Sequence, residues 1–337
     1  MPKALFPTLF LVYVLLSACV KNQDINAPTI RVGPKINLYQ GSLGHDNHAV
    51  VKTEGQNLMI CGSREGKLLL FSINDKGVER FYEEVIFEGI TFAQGILQLD
   101  NNDFLVTGHR KAENEPGYLQ VHKFNQYGKR LWTTRFKSHF IKWGKAIVTL
   151  KDSSMYVVSA PEKSAYNLFL NKFDNNGNLK WSKEFKLNYD RIKFGNIIRS
   201  FDNQLILATS IQSGNPLTGK EINIFKLDTS GNEVWKKTLE PDNFAEASSI
   251  IELENKKLVV CGYSKTNSGS TQEAYVALLS NKGEPIWEKK IGTDSLAESA
   301  KSIIFNEDNT LTVMGSSFSP ITGFERLLLF NIDVETG

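Results

Sequence analysis

Five glycines in this chain are each followed four residues later by a large aromatic, at nearly constant intervals. The pairs are Gly77/Phe81, Gly128/Trp132, Gly177/Trp181, Gly231/Trp235 and Gly283/Trp287, with successive glycines 51, 49, 54 and 52 residues apart. Four of the five tryptophans are spent on this one slot. A period near fifty residues marks a propeller or a solenoid, whose units cannot bury an apolar face alone and must stack on their neighbours. The feature constrains architecture far more than chemistry.

Each unit reads as four short strands. In the clearest one, Ala247–Leu253 and Leu258–Gly262 flank the polar turn Glu254-Asn255-Lys256-Lys257. Ala274–Leu279 follows a Ser/Thr/Gly-rich loop, and Asn281-Lys282-Gly283 turns the chain into Pro285–Ile291. Strand-length apolar runs bounded by turn residues favour β-structure, and no helical periodicity competes. The turn before the aromatic places Asn125, Asp174 or Asp228 first and glycine fourth. Such a loop is a type I turn closed by a residue of positive φ, which glycine adopts without steric cost. The aromatic then lies on the outgoing strand, where its area can wedge between neighbouring sheets.

Alignment of the units gives six. Their inner hairpins begin near Asn47, Ala93, Gly144, Gly195, Ala247 and Ala300. Their third strands are Lys67–Ile73, Tyr118–Phe124, Asn167–Phe173, Glu221–Leu227, Ala274–Leu279 and Arg326–Ile332. Gly337 falls in the turn where a sixth outer strand would begin, and Thr29–Val32 and Lys35–Leu38 can supply that strand from the other end. This closure removes two free sheet edges. The expected fold is an all-β, six-bladed β-propeller of four-stranded blades, the last closed by an N-terminal strand.

The first residues belong outside that fold. Lys3 precedes a mostly apolar run, Ala4 to Ala18, shorter than a membrane span requires. It ends in Leu16-Ser17-Ala18-Cys19, which resembles the lipobox of bacterial lipoproteins. The resemblance implies removal of residues 1–18, a lipid on Cys19, a tether over residues 19–28 and a single propeller domain over residues 29–337. The expected place is the bacterial cell envelope, at the outer membrane, with the membrane reached through the lipid. Cys61 and Cys261 fill the same slot before a strand-ending glycine, in units one and five. They are expected to be buried small hydrophobes and not a disulfide.

The Gly/Trp turns with alternating strands resemble the tryptophan-docking repeats of pyrroloquinoline-quinone-dependent dehydrogenases and their non-catalytic relatives. Those enzymes carry eight repeats and a pair of adjacent cysteines over the cofactor. This chain has six repeats and no adjacent cysteines, so no cofactor is expected. The stretch Leu170–Trp181 also looks like repeats of secreted propellers from Bacteroidetes-type bacteria. A propeller lipoprotein that scaffolds outer-membrane assembly is similar in spirit. The resemblance implies fold and little function.

Charge excludes one partner class. Against 39 basic side chains stand 37 acidic ones, a net charge of +2, so no basic field exists to hold nucleic acid. His45-Asp46-Asn47-His48 is the one dense polar cluster of metal-like content. It enters a strand, where residues three apart face opposite ways, so no metal site is expected. Gly214–Lys220 echoes a phosphate loop but lacks the spacing and the following helix. No catalytic constellation is expected. The residues at or before the start of each inner strand are Asp46, Asn47, Phe92, Trp143, Phe194, Glu246 and Glu298. In a propeller they converge on one channel mouth. Aromatic faces beside carboxylates suit a sugar or a basic peptide loop. The expected function is non-catalytic binding of a protein or glycan partner of the envelope. The rival is a carbohydrate-active enzyme using Asp46, Glu246 and Glu298 at that mouth.

Overall fold

The computed structural model describes the chain from residue 45 to 337, apart from 54–56, 65, 75–77, 86–89, 113–114, 138–142, 162–166, 186–190, 213–218 and 267–270. Cys19, the tether, the strands expected over 29–38 and Gly77 lie outside the described residues. The chain divides into two compact units, residues up to 147 and residues from 148 onward. Every element among the described residues is a β-strand.

The first unit holds two antiparallel sheets in sequence order. One comprises β1 (His45–Lys52), β2 (Leu58–Arg64), β3 (Lys67–Ile73) and β4 (Glu79–Val85). The other comprises β5 (Ile90–Gln98), β6 (Phe104–Ala112), β7 (Glu115–Phe124) and β8 (Arg130–Phe136). A third four-stranded sheet follows in sequence order. It runs through β9 (Trp143–Thr149), β10 (Met155–Ala160), β11 (Leu168–Phe173) and β12 (Leu179–Phe185).

In the second unit β13 (Arg191–Arg199), β14 (Leu205–Gln212), β15 (Lys220–Leu227) and β16 (Glu233–Leu239) form the fourth repeat, and β17 (Phe244–Glu252), β18 (Leu258–Lys265), β19 (Glu273–Leu279) and β20 (Pro285–Ile291) the fifth. The two repeats are joined into one eight-stranded sheet by a single parallel bridge, Lys220 to Phe244. A Cβ on Gly219 would lie 1.4 Å from the Asn243 carbonyl oxygen, so only glycine permits that approach. The last sheet is three-stranded among the described residues: β21 (Ala297–Phe305), β22 (Thr310–Phe318) and β23 (Glu325–Asp333).

Burial explains the strand compositions. In the fourth and fifth repeats the second and third strands are closed on both faces, as in β14 and β19, whereas β16 and β20 are largely exposed. Each apolar layer is shared by consecutive sheets of a unit. Met59, Cys61, Leu68 and Leu70 meet Phe104, Val106 and Phe124 in the first unit. Val259, Cys261, Val276 and Leu278 meet Ile303, Leu311 and Val313 in the second. Cys61 and Cys261 are buried, unbridged thiols, each pushed up to about 12 by desolvation.

The repeated aromatic slot docks one repeat onto the next. Gly128, Gly177, Gly231 and Gly283 all have positive φ, and their N–H groups donate to residues 125, 174, 228 and 280. The first residue of the turn caps it: Asp228 Oδ1 accepts the N–H groups of Ser230 and Asn232, both at 2.8 Å. A Cβ at Gly128 would strike the Phe81 ring, one at Gly231 the Trp181 ring and one at Gly283 the Trp235 ring. Gly337 does the same for Trp287, whose indole N–H donates to the Val334 carbonyl at 2.8 Å. Each of these four aromatics therefore rests on the turn glycine of the following repeat, and the glycine is required for φ and for room.

Trp132 belongs to the same repeated slot. This ring is half-buried on β8, at the register its counterparts hold: Trp132 stands across from Lys123 as Trp181 does from Lys172 and Trp235 from Lys226. The turn that would follow it, at Gly177, belongs to the other compact unit. Docking within a unit thus accounts for Phe81, Trp181, Trp235 and Trp287, and Trp132 shares their strand position.

Candidate binding site

The inner strands share a register that the apolar pattern hides. In each, one residue stands directly across from the residue after the second strand's closing Gly or Thr. The pairs are Asp46 with Ser63, Phe92 with His109, Lys193 with Ser210, Glu246 with Tyr263, and Ser299 with Ser316. The glycine has a steric reason: a Cβ on Gly108, Gly262 or Gly315 would lie 1.7–2.0 Å from the carbonyl oxygen of Phe92, Glu246 or Ser299. A bulge follows two residues later in all five strands.

Of the residues nominated from sequence, Asp46, Phe92 and Glu246 occupy this slot. Asp46 and Asn47 are located by backbone register alone. Asn47 and Phe194 stand one position after the slot and Glu298 one before it, and successive strand residues face opposite ways. Trp143 opens β9. Sequence reasoning missed Lys193 and Ser299. The motif ending the second strand (Cys-Gly-Ser63, Thr-Gly-His109, Cys-Gly-Tyr263) would have located them better than the onset of apolar residues.

Around Phe92, in the first unit, the slot is filled by rings. His109 lies between Phe92 and Trp143, with centroids 4.7 and 4.9 Å away and planes within 20°. The Lys145 ammonium sits 4.9 Å from the Trp143 centroid, and burial lowers its pKa. Phe92 and Trp143 each spend one ring face on His109. The Ser63 hydroxyl accepts the Ala93 N–H, tying the first sheet to the second.

In the second unit the same slot is ionic. Glu246 Oε1 accepts from Lys220 Nζ at 2.6 Å, and Oε2 pairs closely with Lys193 Nζ. The Glu246 side chain is only 5% exposed, while Lys193 is 59% and Lys220 31% exposed. Burial pushes the Glu246 carboxyl up, but the hydrogen bonds and charges of the two lysines outweigh it and hold it below the usual range. Tyr263 also bonds to Glu246, and burial followed by that negative charge raises its phenol pKa. β13 packs against β17 and β17 against β21, so three successive inner strands contribute here. From β21 comes Lys301, the bulge residue, whose pKa is lowered by burial and then by Lys193, with Glu246, Glu325 and Cys261 acting oppositely.

Glu298 is engaged elsewhere. Its carboxylate accepts the Thr293 N–H at 3.4 Å and the Thr293 hydroxyl at 3.3 Å. Burial raises its pKa, and the charge that adds to the rise is that of Glu273. One register position thus serves opposite purposes: a ring stack at Phe92, and a carboxylate clamped by ammonium groups at Glu246.

No family model matches the chain, and no curated protein shows significant sequence similarity to it. Solved structures do resemble it. A PL25 ulvan lyase bound to -[GlcA(1-4)Rha3S]- superposes with a TM-score of 0.58 at 8% identity, over 85% of this chain and 78% of that one. A protein of unknown function from Dyadobacter fermentans gives 0.57 at 11% identity, over 85% and 94%. The WD40 domain of Neurospora crassa Pan2 gives 0.50 at 13% identity, over 84% and 78%. At these identities the likeness is one of fold alone: the chain is all-β and propeller-like.

Proposed function

We propose that this protein is a lipid-anchored, six-bladed propeller that recognises a protein or glycan partner at the bacterial cell envelope and performs no chemistry of its own. The observation that carries the recognition role is the state of Glu246. A carboxyl clamped by two ammonium groups and a phenol, and held ionised, has no proton to donate near neutrality and little basicity to accept one. What it offers is a fixed pattern of charge. A glycoside-cleaving pair needs two carboxyls roughly 5–10 Å apart, close enough for their charges to act on each other. Here the charges acting on Glu246 are those of lysines, and the one acting on Glu298 is that of Glu273.

The domain plan completes the proposal. Residues 1–18 are removed, Cys19 is lipidated, 19–28 tether the protein and 29–337 form the propeller. Its last blade gains a fourth strand from Thr29–Leu38 alongside β23, the outermost strand of its sheet among the described residues. An uncovered strand edge is a template for association, and pairing removes it. The test is purification of the lipidated protein from its native membrane with cross-linking. One partner should be recovered with the wild type and lost with Lys193→Ala, and Cys19→Ser should move the protein out of the membrane fraction. Recovery indifferent to Lys193→Ala would sink the rim as the recognition surface.

A further inference from the structure

We propose that the inner-strand rim of the second unit binds a uronic-acid-containing glycan, its carboxylate held by the ammonium groups of Lys193, Lys220 and Lys301 above Glu246. This rests on the recognition role proposed above and gives it a ligand class. Three cations gather around one carboxylate, an excess of positive charge at one point on a chain whose overall charge is nearly balanced. Each ammonium has three donors, and Lys193 and Lys220 spend one each on Glu246, leaving donors free to turn outward. Lys301 makes no ion pair or hydrogen bond with any described residue, yet it feels both Lys193 and Glu246. A partly desolvated ammonium beside a like charge is an unfavourable state that a bound anion relieves.

The carboxylate beneath the lysines selects the kind of anion. Glu246 has about four acceptor positions and gives three to Lys193, Lys220 and Tyr263. One remains, and it asks for a donor. Ser299, which holds the same register position on β21, is buried with a hydroxyl that has no partner among the described residues. A uronic acid carries an anionic group and hydroxyl donors on one ring, so it satisfies lysines, Glu246 and Ser299 together. Acidic side chains of a peptide bring acceptors only and leave the remaining Glu246 position and Ser299 without a hydroxyl partner.

The full chain is titrated with polygalacturonate, with neutral dextran and poly-glutamate alongside. Polygalacturonate should bind, more weakly as salt rises, and dextran should not. Lys193→Ala and Lys301→Ala should each weaken binding about tenfold, the usual loss of one charge-assisted hydrogen bond. Lys282→Ala, in the turn at the opposite end of β19, should leave affinity unchanged. If Lys301→Ala does not fold, Lys301→Gln keeps the stem and gives the same readout. Polygalacturonate binding no better than dextran, or indifferent to both lysine changes, overturns the proposal. Poly-glutamate binding as tightly as polygalacturonate overturns the choice of a glycan. If a native partner is recovered from membranes while polygalacturonate fails to bind, the ligand class is wrong and the recognition role stands.

Discussion

Gly231→Ala tests the docking of an aromatic on the following turn, and Gly323→Ala is its internal control. Both glycines have left-handed φ, +72° and +70°, so alanine costs about 1–2 kcal/mol of backbone strain at either site. They differ in surroundings. A Cβ at Gly323 meets nothing within 4 Å, whereas at Gly231 it lies 2.8 Å from Trp181 Cη2. That ring cannot yield cheaply. It packs edge-on to Tyr156, centroids 5.9 Å apart, and the Tyr156 hydroxyl donates to the Thr229 carbonyl of the same turn at 2.7 Å. Shifting a half-buried indole out of contact forfeits roughly a further 1–2 kcal/mol. Gly231→Ala should therefore cost about 3 kcal/mol and Gly323→Ala about 1–2. At about 2 °C per kcal/mol for a chain of this size, the melting temperature falls by about 6 °C against 2–4 °C. Repeating Gly231→Ala in a Trp181→Ala background should shrink its cost to that of Gly323→Ala, since the colliding partner is gone. Equal shifts for the two glycines, or a Gly231→Ala cost unaltered by removing Trp181, would refute the docking argument.

Two further perturbations probe single positions. His122 is buried with Nδ1 3.0 Å from Thr133 Oγ1, and burial, then Arg130 and Arg135, lower its pKa to about 3. Because the folded value lies below the unfolded one of about 6.5, the unfolded chain takes the proton first. Stability is then complete above about pH 6.5 and falls by about 1.4 kcal/mol per pH unit toward 3. His122→Asn should flatten urea-unfolding stability between pH 6.5 and 4, because Asn171 fills the equivalent place on β11 and accepts the Ser182 hydroxyl. A slope unchanged by the substitution would sink this assignment. Lys256 holds φ at +65° in the hairpin turn between β17 and β18, where Asn102, Asn203 and Asn309 serve the same role in other repeats. Lys256→Gly should raise the urea midpoint by the equivalent of about 1 kcal/mol, and a lowered midpoint would show that the lysine side chain holds the turn.

The repeat was legible because its signals are local. A turn closed at positive φ needs glycine wherever it occurs, so the period near fifty residues survives in the sequence. The third strand expected over Lys67–Ile73 is β3 itself, and Asn167–Phe173 and Ala274–Leu279 differ from β11 and β19 by one residue. Gly337, expected in the sixth turn, holds φ at +74° like the other turn glycines. The bridge joining β15 to β17 left no trace beyond Gly219, since one parallel pair depends on where two repeats come to rest.

Sequence alone determined the β class, the place of the strands and the residues that close each turn, because backbone conformation is set by neighbours a few positions away. Tertiary structure decided which inner-strand residue occupies the shared register position. A bulge in every inner strand displaces the alternation, so an alignment on apolar onset selects Phe194 and Glu298 where Lys193 and Ser299 stand. It also decided that Lys193, Lys220 and Lys301 gather about Glu246. Those charges lie 26 to 55 residues from that carboxylate in sequence, or on strands of other sheets, and only the packing of β13, β17 and β21 against one another brings them within hydrogen-bonding or Coulombic reach.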